Sequence, residues 1–182
     1  MKHKMDRPSL VIHIAIIVWI ALWNALALAL HHHLEGLPFR GWAFFISVTF
    51  YYFMEEPNWK KKMASTFFGG TVGILFTLFL VLVDVWLEGM GIGHTTAVMI
   101  PLCVVLIVLI MGKPYCPVLF NSIGFAYFVI TTMPGVVDTI VEDTIPYIVS
   151  IGLGCIILCG GCQLMTKLIA DYYTKKAAKA AK

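Results

Sequence analysis

Four long runs of this sequence contain no charged residue. They are Leu10–Leu30, Ala64–Val83, Thr95–Met111 and Ile145–Thr166. A helix needs roughly 20 predominantly apolar residues to cross the hydrocarbon core of a bilayer, and the four runs approach or exceed that length. Charged residues make up 13% of the chain, whereas about a quarter is typical of soluble domains. The runs therefore predict an all-α integral membrane protein embedded in the lipid bilayer, with no room for a separate soluble domain.

The apolar segments and the polar or Gly/Pro-rich connections between them predict six transmembrane helices. Their expected bounds are about Leu10–Leu30, Leu37–Met54, Met63–Leu87, Thr95–Met111, Cys116–Met133 and Ile145–Ala170. We expect one transmembrane domain over residues 1–170, with possible halves at 8–90 and 91–170, and a basic cytoplasmic tail over residues 171–182. The first apolar run is too long for a typical signal-peptide core, so we interpret it as a retained first helix.

Basic residues are distributed very unevenly over the loops that six spans would create. Twelve of the 13 fall on the side of the two termini: Lys2, Lys4, Arg7, Lys60, Lys61, Lys62, Lys113, Lys167, Lys175, Lys176, Lys179 and Lys182. Arg40 alone falls on the opposite side, together with Glu35, Asp84, Glu88, Asp138, Glu142 and Asp143. Because short cytoplasmic loops are enriched in Lys and Arg, the split predicts a multi-pass inner (plasma) membrane protein with both termini in the cytoplasm.

A short motif occurs twice, as Gly-x-Pro-aromatic at residues 36–39 and again at residues 112–115. At the same offset Phe44 matches Phe120, Tyr51 matches Tyr127, and Tyr52 matches Phe128. Since three spans are an odd number, a duplicated half would enter the membrane from the other side, which predicts a 3+3 inverted repeat. We expect Gly36 and Gly112 to break two helix starts and Pro38 and Pro114 to lie in the first helical turns. Chance recurrence of Gly, Pro and aromatic residues is the alternative.

Spans two and five are short and interrupted by Gly and Pro, which is typical of transport sites in repeated transporter folds. Candidate residues for a solute path are Phe39, Trp42, Phe45, Ser47, Asn121, Gly124 and Phe125, with Phe120 and Tyr127 adding to an aromatic slot. We expect Phe45, Ser47, Asn121 and Gly124 to face a common space. Asn24, Thr49 and Ser122 are further polar candidates. Hydrogen bonds between helices, and anchoring of aromatic rings at the membrane interface, are equally ordinary roles for these residues.

Small residues recur every four positions in span three, at Ser65, Gly69, Gly73 and Thr77. Span six carries a similar pair, Ser150 and Gly154. Such a stripe lets another backbone approach closely, either within one subunit or between subunits. Because six short spans offer little interior, we expect a homo-oligomer.

Two groups of residues have side chains that metals favour. Cys155, Cys159 and Cys162 would share a face of a regular helix and suit a soft metal, although buried thiols also serve in tight packing. His31, His32, His33 and Glu35 lie together at the expected outer surface. Neither spacing is that of a known metal motif, so we predict no bound metal and no cofactor. The chain lacks nucleotide-binding, hydrolase and metalloprotease motifs, which argues against an enzyme and against a nucleic-acid partner.

The segment from Leu37 to Val81 resembles the small bacterial inner-membrane proteins of domain-of-unknown-function family 1097. The resemblance is carried by Trp42, Phe44, Phe45, Tyr51, Lys60–Lys62, Gly69 and Gly73, and in the second half by Pro117, Phe120, Gly124 and Phe125. It spans most of the chain and implies a bacterial inner-membrane protein. It implies no activity, cofactor or functional residue.

Charged residues are nearly absent from the predicted spans, which argues against a pump built on buried carboxylates. The function that the pattern favours is a channel or transporter for a small uncharged polar solute, with its path near spans two and five. Two alternatives stay open: a non-transporting membrane assembly or partner protein that uses the small-residue stripe, and a soft-metal carrier that uses the cysteines.

Overall fold

The computed structural model describes residues 7–29 and 39–180, and this part of the chain is helical with no strands. The α-helices are α1 Arg7–Ala29, α2 Gly41–Phe53, α3 Trp59–Gly89, α4 His94–Gly112, α5 Ser122–Thr131, α6 Ile140–Leu153 and α7 Gly160–Ala180. A 3-10 turn at Val137–Thr139 precedes α6, and a π-helical segment at Gly154–Cys159 follows it. The prediction of an all-α chain is confirmed.

Four helical stretches are long and apolar enough to cross a membrane: Arg7–Ala27, Trp59–Gly89, His94–Gly112 and Val137–Lys179. The helices α2 and α5 are apolar but shorter, at 13 and 10 residues. At 1.5 Å per residue they measure about 20 Å and about 15 Å, against a bilayer core of about 30 Å. The predicted tail is helical as far as it is described, because α7 continues to Ala180.

The helix expected at Cys116–Met133 begins later than predicted. Gly112 is the last residue of α4, and the chain then forms turns until Asn121 caps the start of α5. Pro114 lies in these turns, so the expectation that it occupies the first turn of a helix is wrong. Pro114 and Pro117 explain the delay, since proline lacks a backbone N–H and disfavours helical geometry in the residue before it. Gly36 and Pro38 lie outside the described residues.

The chain forms two compact units, Met1–Gly36 with Ile156–Lys182, and Leu37–Cys155. In the first unit α1 packs against the last part of the chain. Trp19 lies against Gly161, where any side chain larger than hydrogen would overlap the indole ring, and its Nε1 donates to the Ile157 carbonyl at 3.2 Å. Trp23 packs edge-on against Trp19, with ring centroids 5.8 Å apart. Most of the remaining surface of α1 is exposed apolar side chains, as expected for a helix in lipid.

The second unit is built around α3, which packs against α5, α4, α6 and α2. One core cluster joins α2, α3, α5 and α6, and its fully buried members include Ala43, Ile74, Tyr127 and Ile151. A second cluster joins α3, α4 and α5 through Leu80, Val105, Leu109 and Phe128. The outward face of α4 carries exposed Ile, Val and Met side chains. All residues of the candidate site described next belong to this unit.

Candidate functional site

The small residues of α3 pack directly against α5. A Cβ on Gly73 would overlap the carbonyl oxygen of Gly124, and a Cβ on Gly124 would lie 2.8 Å from the carbonyl oxygen of Gly69. The two backbones are therefore closer than side chains would permit. Ser65, Gly69, Gly73 and Thr77 are all buried, so the stripe predicted for helix packing is filled by a helix of the same chain.

Asn121 joins the beginning of α5 to α3. Its Oδ1 accepts hydrogen bonds from the backbone N–H groups of Ile123 and Gly124, at 2.9 and 3.0 Å. Its Nδ2 donates to the carbonyl oxygen of Ser65 at 3.1 Å and to that of Val118 at 2.9 Å. One amide group thus caps a helix and holds it to its neighbour.

Hydroxyl groups link the other end of α5 to α3. Thr77 and Thr131 are fully buried, and their hydroxyl oxygens are 2.5 Å apart. Thr131 also donates to the Tyr127 carbonyl at 2.7 Å. Every polar group that joins α5 to α3 in these contacts is uncharged.

Tyr127 connects α5 to α2 in the centre of this unit. Its hydroxyl donates to the carbonyl oxygen of Ala43 at 3.3 Å and lies 3.1 Å from the hydroxyl of Ser47. Its ring packs against Trp42 and Phe50, with centroid distances of 6.2 and 5.1 Å. The two short helices therefore meet around one buried tyrosine.

A second close contact joins α2 to the chain around the end of α6. A Cβ on Gly154 would overlap the carbonyl oxygen of Phe44 and lie 3.0 Å from the hydroxyl of Ser47. The Ser150 hydroxyl accepts from the Arg40 backbone N–H at 2.6 Å and donates to the Pro146 carbonyl at 2.7 Å. The guanidinium of Arg40 forms an ion pair with Asp143.

Corresponding helix starts in this unit are separated by a common spacing. From Gly41 to Ser122, the starts of α2 and α5 are 81 residues apart, and from Trp59 to Ile140 the starts of α3 and α6 are also 81 residues apart. The glycines of the two close contacts, Gly73 and Gly154, have the same separation. This spacing differs from the 76 residues that separate the two Gly-x-Pro-aromatic motifs.

An open cleft of about 470 Å³ lies where α2 ends and α5 begins. It is lined by Phe53, Met54, Glu55, Glu56, Lys61, Ser65, Lys113, Pro117 and Ser122. Glu56 and Lys61 form an ion pair at 3.0 Å, and the hydrogen bond from Lys61 holds the pKa of the Glu56 carboxyl below its ordinary value. The charges of Glu56 and Lys61 offset each other, and Glu55 and Lys113 add one charge of each sign to the lining.

The residues predicted to line a solute path are in different surroundings. Trp42 and Ser47 meet at Tyr127, whereas Asn121 and Gly124 lie against α3. Phe39 and Phe45 are half-buried, and both pack against the buried ring of Phe44. Phe125 is 47% exposed, and its ring faces outward from the unit.

The sequence-based interpretation missed Thr131 and the partnership of Arg40 with Asp143. Nothing in the sequence indicated that the hydroxyl of Thr131 would contact the hydroxyl of Thr77. Arg40 did have a sequence signal, because it is the only basic residue expected among acidic residues on its side of the membrane. That signal indicates an acidic partner without telling which one.

Among residues 7–29 and 39–180, one group of three metal-favouring side chains comes close enough to share an ion. It consists of Asp84, Glu88 and His94, whose ligand atoms lie within 4.8 Å of one another. Cys155, Cys159 and Cys162 are buried and form no disulfide. Cys155 belongs to one compact unit, and Cys159 and Cys162 belong to the other. The run His31–His33 and Glu35 lie outside the described residues.

The fold and site define a class: an all-α chain with four helices able to span a membrane and two short helices packed in its second unit. Comparison with protein families, with curated proteins and with solved structures finds no match. The resemblance to family 1097 therefore stays a prediction.

Proposed function

We propose that this chain is an inner-membrane protein that passes a small uncharged polar solute through a bundle with a 3+3 inverted repeat. The observation that carries the proposal is the pair of short apolar helices, α2 and α5, which meet at Tyr127. Unusually short helices at corresponding positions of two halves are the best structural pointer to a transport site.

Reciprocal contacts support the inverted repeat. If a twofold axis relates two halves, every contact between the halves must occur twice, with the roles exchanged. Gly73 of the first half meets the backbone of α5, and Gly154 of the second half meets the backbone of α2. The glycines are separated by the shared spacing of 81 residues, and the carbonyls they meet, those of Gly124 and Phe44, correspond to within one residue, which supports two copies of one contact.

The chemistry beside the cleft suits a neutral solute. Ser65 and Ser122 line the cleft, and the amide of Asn121 lies immediately next to them. The buried hydroxyls of Ser47, Tyr127, Thr77 and Thr131 lie at the contacts of α5 with α2 and α3. Such groups can replace the hydration of a polar solute by hydrogen bonds without attracting an ion.

The two alternative functions receive less support. The small-residue stripe of α3, which a partner protein would need, is covered by α5 of the same chain. The three cysteines, which a soft-metal carrier would need, are divided between the two compact units, with Cys155 in one and Cys159 and Cys162 in the other. Assembly into a homo-oligomer remains part of the proposal, through other surfaces such as the exposed apolar face of α4.

Solute flux into proteoliposomes tests the proposal. Stopped-flow light scattering should show faster entry of glycerol or urea than in protein-free liposomes, with no faster entry of sodium ions. Ser122→Trp should abolish the difference, because an indole at this exposed position would fill the cleft. Thr95→Trp is the matched control, since Thr95 is also exposed in the first turn of a helix but lies away from the cleft. Equal flux in wild-type and empty liposomes, or in wild type and Ser122→Trp, would contradict the proposal.

A further inference from the structure

A cluster of two carboxylates and one imidazole joins the end of α3 to the beginning of α4. Asp84 and Glu88 lie one helical turn apart on α3, and His94 is the first residue of α4. The His94 Nδ1 is 2.7 Å from the Glu88 Oε1 and 3.8 Å from the Asp84 Oδ1. Only the four residues Met90–Gly93 separate the two helices, so the backbone holds the three side chains together.

One atom of this cluster lacks the hydrogen bond that a buried charged oxygen requires. The Asp84 Oδ1 is buried and has no hydrogen-bond partner within the described ranges, since 3.8 Å to the His94 nitrogen is too long for one. A buried carboxylate oxygen without a partner is destabilising, and the great majority of buried polar atoms avoid this state. The orphaned oxygen is the one nearest to the imidazole nitrogen, so its lone pairs are available to a cation shared with His94.

The surrounding charge also favours a cation. No lysine or arginine occurs between Lys62 and Lys113 in the sequence. Asp84 and Glu88 lie in the last turns of α3, where the negative end of the helix dipole opposes carboxylates and favours cations. The two negative charges therefore have neither a basic neighbour in sequence nor a favourable helix end.

We infer that Asp84, Glu88 and His94 bind a divalent transition-metal ion of the Zn²⁺ type. Imidazole nitrogen with carboxylate oxygen is a donor set that zinc accepts, and three protein ligands with one open position are common in its sites. Zinc at about 2.0–2.2 Å from each donor requires the donors to lie roughly 3–4 Å apart, which is close to their present separations. His94 can make the small rotation needed, because its side chain is 72% exposed. The ion would brace the connection between α3 and α4, and the inference does not depend on solute transport.

Zinc binding to the purified full-length protein tests this inference. The protein should carry a tag without histidine, and His31, His32 and His33 should be replaced by Ala to remove the competing cluster. Titration calorimetry in detergent should then give one Zn²⁺ per chain, and Zn²⁺ should raise the apparent Tm. Asp84→Asn and His94→Gln should each weaken binding at least about tenfold, because each removes one of only three protein donors.

Matched controls separate the site from general charge effects. His13→Gln removes another exposed histidine and Glu142→Gln another exposed carboxylate, and both should bind Zn²⁺ like the parent. Mg²⁺ should bind much more weakly, because it prefers more oxygen donors in octahedral geometry. Absence of Zn²⁺ binding in the parent, unchanged binding in the Asp84→Asn, His94→Gln double variant, or equal effects of Mg²⁺ and Zn²⁺ would each overturn the inference. His94 is exposed, so loss of binding in His94→Gln cannot be ascribed to misfolding.

Discussion

The contact of α3 with α5 and the contact of α2 with the chain after α6 share one geometry. In each, a glycine faces a backbone carbonyl of a short helix: Gly73 faces Gly124, and Gly154 faces Phe44. The surrounding polar groups differ. The first contact is held by the neutral groups of Asn121, Thr77 and Thr131, whereas the second begins at the ion pair of Arg40 with Asp143.

The difference teaches which part of the contact is constrained. Only glycine lets a backbone carbonyl approach the facing helix this closely, so its position is dictated by sterics. The hydrogen-bonding groups around it need only be satisfied, and several chemistries can do that. The ion pair of the second contact includes Asp143, which is buried. A buried charge without its partner would destabilise the fold. Substitutions of the glycines should therefore destabilise the protein most, and substitutions of the polar groups should destabilise it progressively less.

The largest effect is expected for Gly73→Leu. Its Cβ would overlap the Gly124 carbonyl and lie 2.9 Å from the Phe128 nitrogen. Both are backbone atoms of α5, so neither can move without distorting that helix. Overpacking of this kind should cost more than about 3 kcal/mol of stability. Thermal unfolding in detergent should show a large fall in apparent Tm and loss of the monodisperse peak. Gly89→Leu on the same helix is the control, because its Cβ would meet nothing within 4 Å. Similar Tm values for the two variants would show that α3 and α5 are not in close contact.

The next effect is expected for Gly154→Ala. The added methyl group would meet the Phe44 carbonyl and the Ser47 side chain, at a cost of about 1–3 kcal/mol. Gly152→Ala, two positions earlier, would meet only the Phe67 ring at 3.3 Å, and a ring can shift. The comparison of apparent Tm values should place Gly154→Ala clearly below Gly152→Ala. If Gly154→Ala is harmless while Gly73→Ala is damaging, the two contacts are not copies of each other.

A smaller effect is expected for Asp143→Asn, which keeps the shape and removes the charge. The carboxylate accepts from Arg40 and, at 2.9 Å, from the hydroxyl of Thr139. Hydrogen bonds to charged groups contribute about 1.5–3 kcal/mol, and partial exposure of Arg40 should reduce the loss to about 1–2 kcal/mol. A double-mutant cycle with Arg40→Gln measures the coupling. A coupling energy near zero would mean that the ion pair adds nothing to the second contact.

The smallest effect is expected for Thr77→Val, which is nearly isosteric and removes one hydroxyl from the first contact. Hydrogen bonds between membrane helices contribute about 0.6 kcal/mol on average, so the fall in apparent Tm should be slight. A double-mutant cycle with Thr131→Val should give a coupling energy of about 0.6 kcal/mol. A loss larger than that of Asp143→Asn would reverse the expected ranking and show that the neutral contact depends on its hydroxyls.

The sequence by itself determined the helical class, the apolar stretches of membrane-spanning length, and the glycine positions at which helices approach. These properties are local, because hydrophobicity, helix propensity and residue size act over a few turns. Composition therefore indicated α3 and α4 with nearly correct bounds. It placed the starts of α2 and α5 too early, because apolar residues before Gly41 and Ser122 lie in non-helical backbone. For α5 the reason is the pair of prolines, Pro114 and Pro117, that precede it.

Only the tertiary structure decided which surfaces meet. The stripe at Gly69 and Gly73 could have faced another subunit as readily as α5, since glycine spacing describes a groove and not its occupant. The pairing of Arg40 with Asp143 spans 103 residues, and nothing in either neighbourhood selects the other. The carboxylate oxygen of Asp84 that lacks a partner appears only when α3 and α4 are placed side by side, because burial and hydrogen bonding depend on the packing of the whole unit.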